Sequence, residues 1–251
     1  MMQYTRGLVS VSFRGKTPEE ILQAAKEAGL SCIEWGSDVH APCGDASALE
    51  RIARLQKEQG VFCSSYGTYF RIGVNAAEEI EAYIAAAKIL GTDILRLWCG
   101  DKGSAKYTDA EREGLLGKCI TLAKIAEAHG VKLCMECHVN TFTDIKESAL
   151  WLMESVGSPS FRMYWQPNQF VSAEENLAYA RLLAPYTEHI HVFHWLGKEK
   201  FPLREGIGIW RQYLSCFSGE RTLLLEFMPD GKIESLPGEA DTLAKIIGED
   251  K

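Results

Sequence analysis

Four polar side chains stand at the ends of four apolar, strand-like segments of the sequence. They are Glu136, Gln166, His191 and Glu226, at intervals of 30, 25 and 35 residues. Each interval has about the length of one strand plus one helix. Two carboxylates, one imidazole and one amide oxygen are ligands that suit a hard or borderline divalent cation. If the four strand ends meet at one point, the sequence predicts a metal site there.

A repeated alternation of strand-like and helix-like segments provides such a meeting point. It occurs eight times, and the strand-like segments read GLVSVSF, SCIEWG, VFCSSYG, DILRLWCG, VKLCMECH, FRMYWQP, EHIHVFHW and RTLLLEF. Strands that alternate with helices indicate parallel βαβ units, and eight units favour a closed (β/α)8 TIM barrel over an open sheet. The strands of such a barrel all end at one mouth. We therefore predict a single TIM-barrel domain over residues 1–251.

The two-residue period of a strand separates inward from outward side chains. In the fifth segment Glu136 and His138 share one face, whereas the opposite face is wholly apolar and should contact the helices. The same alternation places Gln166, His191 and Glu226 on inward positions. An unpaired buried carboxylate is costly. Two buried glutamates beside a histidine therefore favour a shared cation.

Composition argues against several other classes of protein. The formal net charge of −7 disfavours a protein that binds nucleic-acid phosphates. No apolar stretch of about 18 residues occurs, so we expect no membrane span. The N-terminal sequence MMQYTRGLVSV lacks the apolar core of a secretory signal, and the eight cysteines are scattered. These features predict free thiols in a cytoplasmic protein.

On these segments the chain resembles, over essentially its whole length, the sugar phosphate isomerase/epimerase family of xylose-isomerase-like barrels. The matching segments are AGLSCIEWGSDVHAP, AKILGTDILRLWCG, LCMECH, HIHVFHW and LLLEFM. The resemblance implies one divalent ion, with Mn²⁺ as the first expectation and Mg²⁺, Co²⁺ or Zn²⁺ as alternatives. Its ligands would be Glu136, Gln166, His191 and Glu226. Gln166 departs from the Asp that is usual in the family, and its amide brings no negative charge.

The resemblance also implies a reaction. A sugar isomerase or epimerase removes a proton next to a carbonyl group, and an enediolate forms. A bound cation stabilises the charge that develops on the carbonyl oxygen. We predict Glu136 and Glu226 as the proton-transfer pair and a small sugar or sugar derivative as the substrate.

Further residues near the strand ends are predicted to line the mouth. His138 would bind a substrate hydroxyl group or orient a metal ligand, and aromatic rings would form a wall against sugar C–H faces. The predicted substrate-binding residues are Glu34, His40, Tyr66, Trp98, His138 and Lys198, with Trp165 as one more candidate ring.

Three other functions remain open at this point. A metal-dependent dehydratase of a keto-polyol shares the first proton abstraction and then expels a hydroxyl group. A non-catalytic sugar-binding barrel would explain Gln166 as the mark of a degenerate metal site. A barrel that cleaves DNA at abasic sites needs more metal ligands and a basic groove, which the six histidines and the acidic chain disfavour. The sequence leaves homo-oligomerisation open.

Overall fold

The computed structural model describes residues 3–249 and forms a closed barrel of eight parallel strands. The first two and last two residues of the predicted domain lie outside this range. Each strand pairs with the next, and the first pairs with the last in the register Gln3↔Glu220 to Leu8↔Leu225. The barrel strands are β1 (Gln3–Val9), β2 (Cys32–Gly36), β3 (Phe62–Ile72), β4 (Ile94–Cys99), β5 (Lys132–Glu136), β6 (Phe161–Trp165), β7 (Thr187–Val192) and β8 (Glu220–Leu225).

A helix follows every strand, so the predicted (β/α)8 TIM barrel is confirmed. The first helix begins with a capping box, in which Thr17 and Glu20 each bind the other's backbone N–H, and Pro18 occupies the first helical position. The helices are α1 (Pro18–Glu27), α2 (Ala46–Gln59), α3 (Ile80–Leu90), α4 (Asp109–His129), α5 (Lys146–Val156), α6 (Ala173–Leu183), α7 (Ile207–Leu214) and α8 (Leu236–Ile247).

Two apolar layers result from the alternation of side chains along the strands. The larger layer lies between strands and helices and contains Trp35, Trp165 and Trp210. The smaller one fills part of the barrel interior, with Cys134, Tyr164 and other residues. The rest of the interior, towards the carboxyl ends of the strands, holds ionisable side chains. Burial of such groups is costly unless they are paired.

Two features at the mouth were not predicted from the sequence. A short antiparallel hairpin follows β7 and pairs Trp195–Leu196 with Glu199–Lys200. After β8, Phe227 has a left-handed backbone with φ of 50°, a conformation that costs a bulky residue about 1–2 kcal/mol. Its N–H donates to Ser12 Oγ at 2.9 Å. Backbone strain of this kind often occurs at functional sites.

No helix among residues 3–249 is long and apolar enough to cross a membrane.

Candidate active site

A cavity of about 250 Å³ opens at the carboxyl ends of the strands. In a TIM barrel this face carries the active site. One side of the cavity is aromatic, and the floor is polar. The lining includes Trp98, Phe193, Trp195 and Phe227, together with Glu136, His138, Gln166 and Glu226.

The structure brings together the four side chains that the sequence predicts as metal ligands. His191 Nδ1 lies 2.9 Å from Gln166 Oε1, 3.5 Å from Glu226 Oε2 and 3.6 Å from Glu136 Oε1. One ligand atom each from Glu136, His191 and Glu226 can be chosen so that all three lie within 4.8 Å of one another. This arrangement could hold a metal ion.

Glu136 is fixed by neighbours on its own loop and on β4. Its backbone carbonyl accepts a hydrogen bond from Thr143 Oγ1 at 2.6 Å. Its carboxylate Oε2 accepts from Trp98 Nε1 at 2.6 Å and from Arg96 Nη1. Burial alone would raise the pKa of Glu136, but Arg96 and His191 together outweigh burial and lower that pKa to about 2. Glu136 is therefore an ionised carboxylate that hydrogen bonds from Arg96 and Trp98 hold in place.

Glu34 lies beneath the cavity, fully buried in the barrel interior. Its Oε1 accepts from Arg96 Nε at 2.7 Å, and its Oε2 accepts from Ser65 Oγ at 3.2 Å. The same Oε2 is 3.3 Å from His191 Nε2. Burial opposes ionisation, but Arg96 and then His191 outweigh it and hold the pKa of Glu34 well below its usual value.

The charges around His191 are unbalanced unless a cation is present. Burial alone would lower the pKa of His191, but the charges of Glu226 and Glu34 outweigh it and raise that pKa to about 10. Burial raises the pKa of Glu226. A His191 that binds a metal ion through Nδ1 must be neutral, and the three carboxylates of Glu34, Glu136 and Glu226 then face the single guanidinium of Arg96. The two unmatched negative charges fit a divalent ion, and so does the mixed donor set.

His138 occupies the rim of the cavity and has a defined tautomer. Its Nδ1 donates to the Val139 carbonyl at 2.7 Å, because a carbonyl oxygen can only accept. In the neutral ring, the other nitrogen, Nε2, carries the lone pair. The His138 ring lies 5.4 Å from the ring of Trp98, measured between centroids. His138 is thus placed to accept a proton or a hydrogen bond from a bound molecule.

The other residues predicted to bind substrate lie away from the cavity, and their placement does not support direct contact. Glu34 lies under the floor, and buried Tyr66 faces the helices, where its hydroxyl binds the Ala41 carbonyl. His40 is also buried, with Nδ1 3.1 Å from Ser10 Oγ. Lys198 is exposed in the turn of the hairpin after β7. Only Trp98 and His138 of the predicted set line the cavity.

Trp165 also packs outside the barrel, where its ring lies 5.3 Å from that of Tyr213. Strand parity explains this position, because Tyr164 and Gln166 on either side point inward. The same parity applied to β4 puts Ile94, Arg96 and Trp98 on the inner face. Arg96, which the sequence analysis missed, could therefore have been found from its place inside an apolar strand.

A second group of residues missed from the sequence lies at the outer rim. Arg14, which follows β1, donates to Asp38 and to the hydroxyl of Tyr69, and both Arg14 and Tyr69 line the cavity. Trp195, on the hairpin, adds an aromatic ring. Arg14 lies beyond the end of β1, Tyr69 lies where the pairing of β3 with β4 shifts register, and Trp195 lies on a two-residue strand, so strand alternation gives little information about the direction of these side chains.

Comparison with known proteins agrees with this class of barrel. The model of the family described as xylose isomerase-like TIM barrel matches residues 22–215, and the chain belongs to this family. A 3-dehydroshikimate dehydratase of Bacillus anthracis is 26% identical over 207 residues, which are 76% of this chain and 71% of that protein.

Solved structures extend the likeness to the whole fold. A probable 3-DHS dehydratase from Bacillus anthracis, AsbF, has a TM-score of 0.80 at 21% identity and covers 97% of this chain and 99% of its own. D-psicose 3-epimerase from Clostridium cellulolyticum H10, solved with D-tagatose, has a TM-score of 0.69 at 12% identity, with coverage of 98% and 100%. At these identities the structures establish the fold alone.

Proposed function

We propose that the protein is a divalent-metal-dependent dehydratase of a hydroxylated ketone, with 3-dehydroshikimate as the first substrate to test. The observation that carries this proposal is the buried, negatively charged cluster at the cavity floor. The curated relative supports dehydration, because it is a 3-dehydroshikimate dehydratase. This conclusion replaces the isomerase or epimerase that the sequence first suggested, and it adopts the alternative of a keto-polyol lyase.

Isomerisation and dehydration share their first step and differ in the second. A base takes a proton from the carbon between the carbonyl carbon and a carbon that bears a hydroxyl group. The electron pair moves onto the carbonyl oxygen and gives an enolate. In dehydration the pair returns to form a carbon–carbon double bond, and the hydroxyl group departs with a proton as water. No oxidant or reductant is needed.

The enolate requires positive charge near its oxygen. A divalent ion held by Glu136, Gln166, His191 and Glu226 would supply this charge as a Lewis acid. Trp98 and Arg96 hold Glu136 in a fixed position, so that little reorganisation accompanies the reaction. The aromatic rings that line the cavity would limit access of water to the reacting carbons.

The hydrogen bonds of the site also support a division of the proton-transfer roles. Glu136 Oε2 already accepts two hydrogen bonds, so Glu136 suits a ligand better than a base. His138 lines the cavity, and in its neutral ring the unprotonated nitrogen is Nε2, to which we assign the proton abstraction. Glu226 lacks a comparable donor pair and faces the cavity. It remains a candidate to deliver the proton that leaves with the hydroxyl group.

A product analysis tests this function. The Mn²⁺-loaded protein is incubated with 3-dehydroshikimate and, separately, with a panel of ketoses, and the products are identified by NMR. We expect an aromatic dihydroxy acid from 3-dehydroshikimate and no product from protein stripped with a chelator. Turnover of a ketose to its epimer, with 3-dehydroshikimate unchanged, would contradict dehydration. No conversion of any compound would favour a non-catalytic barrel.

A further inference from the structure

A buried ion pair lies directly beneath the proposed metal ligands. Glu34 on β2 and Arg96 on β4 are nearly inaccessible to solvent. Gly67 on β3 lies against them: a Cβ atom there would come within 2.7 Å of Glu34 Oε1 and 2.8 Å of Arg96 Nη2. A buried ion pair is weak evidence for stability, because its desolvation can outweigh its attraction. Three adjacent strands nevertheless contribute to this ion pair: β2 and β4 carry the two charged residues, and β3 carries the glycine that leaves space for them.

The two nitrogens of His191 face different partners. Nδ1 faces the oxygens of Gln166, Glu226 and Glu136, whereas Nε2 faces Glu34 Oε2. An ionised carboxylate can only accept, so Nε2 carries a proton. When a cation binds and His191 is neutral, the lone pair of the ring is on Nδ1. This nitrogen faces the oxygens of the other proposed ligands.

We propose that Glu34, held by Arg96, is a positioning residue that keeps the proton of His191 on Nε2 and so leaves Nδ1 free to bind the divalent ion. The inference rests on the metal site of the proposed function. Histidine ligands of metals commonly donate their second N–H to a carboxylate, which fixes the ring and makes it a stronger ligand. Arg96 aligns Glu34 and Glu136 together, because it donates Nε to one and Nη1 to the other.

The proposal assigns Glu34 a second contribution, which is electrostatic. Gln166 brings no charge to the ligand set, and Glu34 places a carboxylate one imidazole ring away from the proposed ion. This charge raises the electron density of His191 without occupying a coordination position. Glu34 would thus partly offset the missing carboxylate at position 166.

The substitution Glu34→Gln tests the tautomer of His191, because the new amide can adopt only one orientation between Arg96 and His191. The guanidinium of Arg96 only donates, so the new amide must turn its oxygen towards Arg96 Nε. Its NH₂ group then points at His191 Nε2, which must accept. The proton moves to Nδ1 and blocks the metal position. Ser65 can still bind the amide, since a hydroxyl group accepts as well as donates.

The experiment is a titration of each metal-free variant with Mn²⁺, in which EPR reports the free ion. For Glu34→Gln we expect an affinity about 10- to 100-fold below wild type. Glu34→Asp keeps the charge and should lose less. The matched control is Glu239→Gln, which alters a buried glutamate that accepts from the Leu203 N–H at 2.9 Å far from the cluster. It should bind Mn²⁺ like wild type.

If Glu34→Gln does not fold, a spectroscopic measurement on the wild-type protein still tests the inference. Long-range ¹H–¹⁵N spectra of wild-type protein loaded with Zn²⁺ report which nitrogen of His191 carries the proton. We expect the proton on Nε2; a proton on Nδ1 in the loaded protein would overturn the inference. In folded Glu34→Gln without metal we expect an Nδ1 proton and an unprotonated Nε2.

Glu226→Gln separates this inference from the proposed function. If that variant binds Mn²⁺ as tightly as wild type, the metal site itself is wrong. If it loses Mn²⁺ while Glu34→Gln keeps wild-type affinity, only the role of Glu34 is wrong.

Discussion

The two ends of the barrel both carry ion networks, but the networks differ in burial and in the sign of their excess charge. At the amino end of the strands, Glu188 lies between Lys132 Nζ at 2.9 Å and Arg162 Nε at 2.8 Å. All three side chains there are partly exposed. At the carboxyl end, three buried carboxylates surround one guanidinium and one imidazole.

The difference separates a structural network from a functional one. At the amino end two cations share the single carboxylate of Glu188, and these partly exposed pairs contribute modestly to stability because water screens them. At the carboxyl end the carboxylates outnumber the cations in a place where desolvation is costly. Such a buried excess of negative charge is maintained when a cation that is not part of the chain neutralises it. A buried excess of negative charge, and not the number of ion pairs, therefore marks the candidate active site.

The largest effect is expected from removing one charge of the unbalanced network. Glu226→Gln should abolish dehydration, with a loss of at least about 10³-fold, because it removes both a metal ligand and a proton-transfer candidate. The variant should fold, since burial already penalises the charge of this carboxylate. Steady-state kinetics and thermal unfolding check both statements. A fully active variant would remove Glu226 from the mechanism.

A change at the cavity rim should affect the reaction and spare the metal. His138→Gln should lower kcat by about 10²- to 10⁴-fold, the usual contribution of a general base. The Mn²⁺ affinity should stay within a few-fold of wild type, because His138 is not among the proposed ligands. Kinetics and the EPR titration are measured on the same preparation. If affinity and kcat fall together, His138 acts on the metal and not on the substrate.

Removing the guanidinium of Arg96 should increase the excess of negative charge in the buried cluster. Arg96→Met leaves Glu34 and Glu136 without their cation and should destabilise the metal-free protein by about 3–5 kcal/mol. Added Mn²⁺ should restore part of that stability, because it supplies positive charge at the same place. Thermal unfolding with and without Mn²⁺ measures both effects.

The matched change at the amino end is Arg162→Met. There Glu188 retains Lys132, and the expected cost is about 1 kcal/mol or less, without dependence on Mn²⁺. Equal losses of stability for the two variants would mean that the two networks are alike.

The smallest effect is expected from Glu188→Gln. Burial raises the pKa of Glu188, but its hydrogen bonds with Lys132 and Arg162 outweigh burial and lower it. A carboxyl group with a lowered pKa stabilises the fold above its unfolded value, near 4.5, and this contribution is lost as the pH falls below that value. The variant should therefore be less stable than wild type by about 1 kcal/mol or less near pH 7. The difference should shrink in acid.

Urea unfolding at several pH values tests this, with Mn²⁺ affinity and turnover as controls that should not change. A loss of turnover in Glu188→Gln would contradict the division of roles between the two ends.

The sequence predicted the fold and the convergence of four side chains for one physical reason. A parallel barrel with a helix after every strand brings all strand ends to one face, so position at a strand end suffices. The positions of Glu136, Gln166, His191 and Glu226 at one mouth follow in this way from the sequence alone.

The sequence was a poorer guide to contacts that depend on the direction in which a side chain points from its strand or loop. Tyr66 lies on β3, whose pairing with β4 is irregular between Gly67 and Arg71, and strand position did not reveal its outward orientation. Glu34 was predicted at the mouth, yet it lies one layer deeper, under His191. The strand-like segment EHIHVFHW predicted one strand that runs on to Trp195, whereas β7 ends at Val192 and Trp195 begins a separate hairpin. Partners such as Arg96 for Glu34 lie 62 positions apart in sequence, and only the barrel brings them together.

The most direct test of the unbalanced cluster is the metal content of the purified protein, measured by elemental mass spectrometry. We predict about one divalent ion per chain in wild type and in Glu188→Gln, and its loss in Glu226→Gln. A wild-type protein that retains no metal even after loading with Mn²⁺ or Co²⁺ would contradict the metal site, and the proposed dehydratase with it.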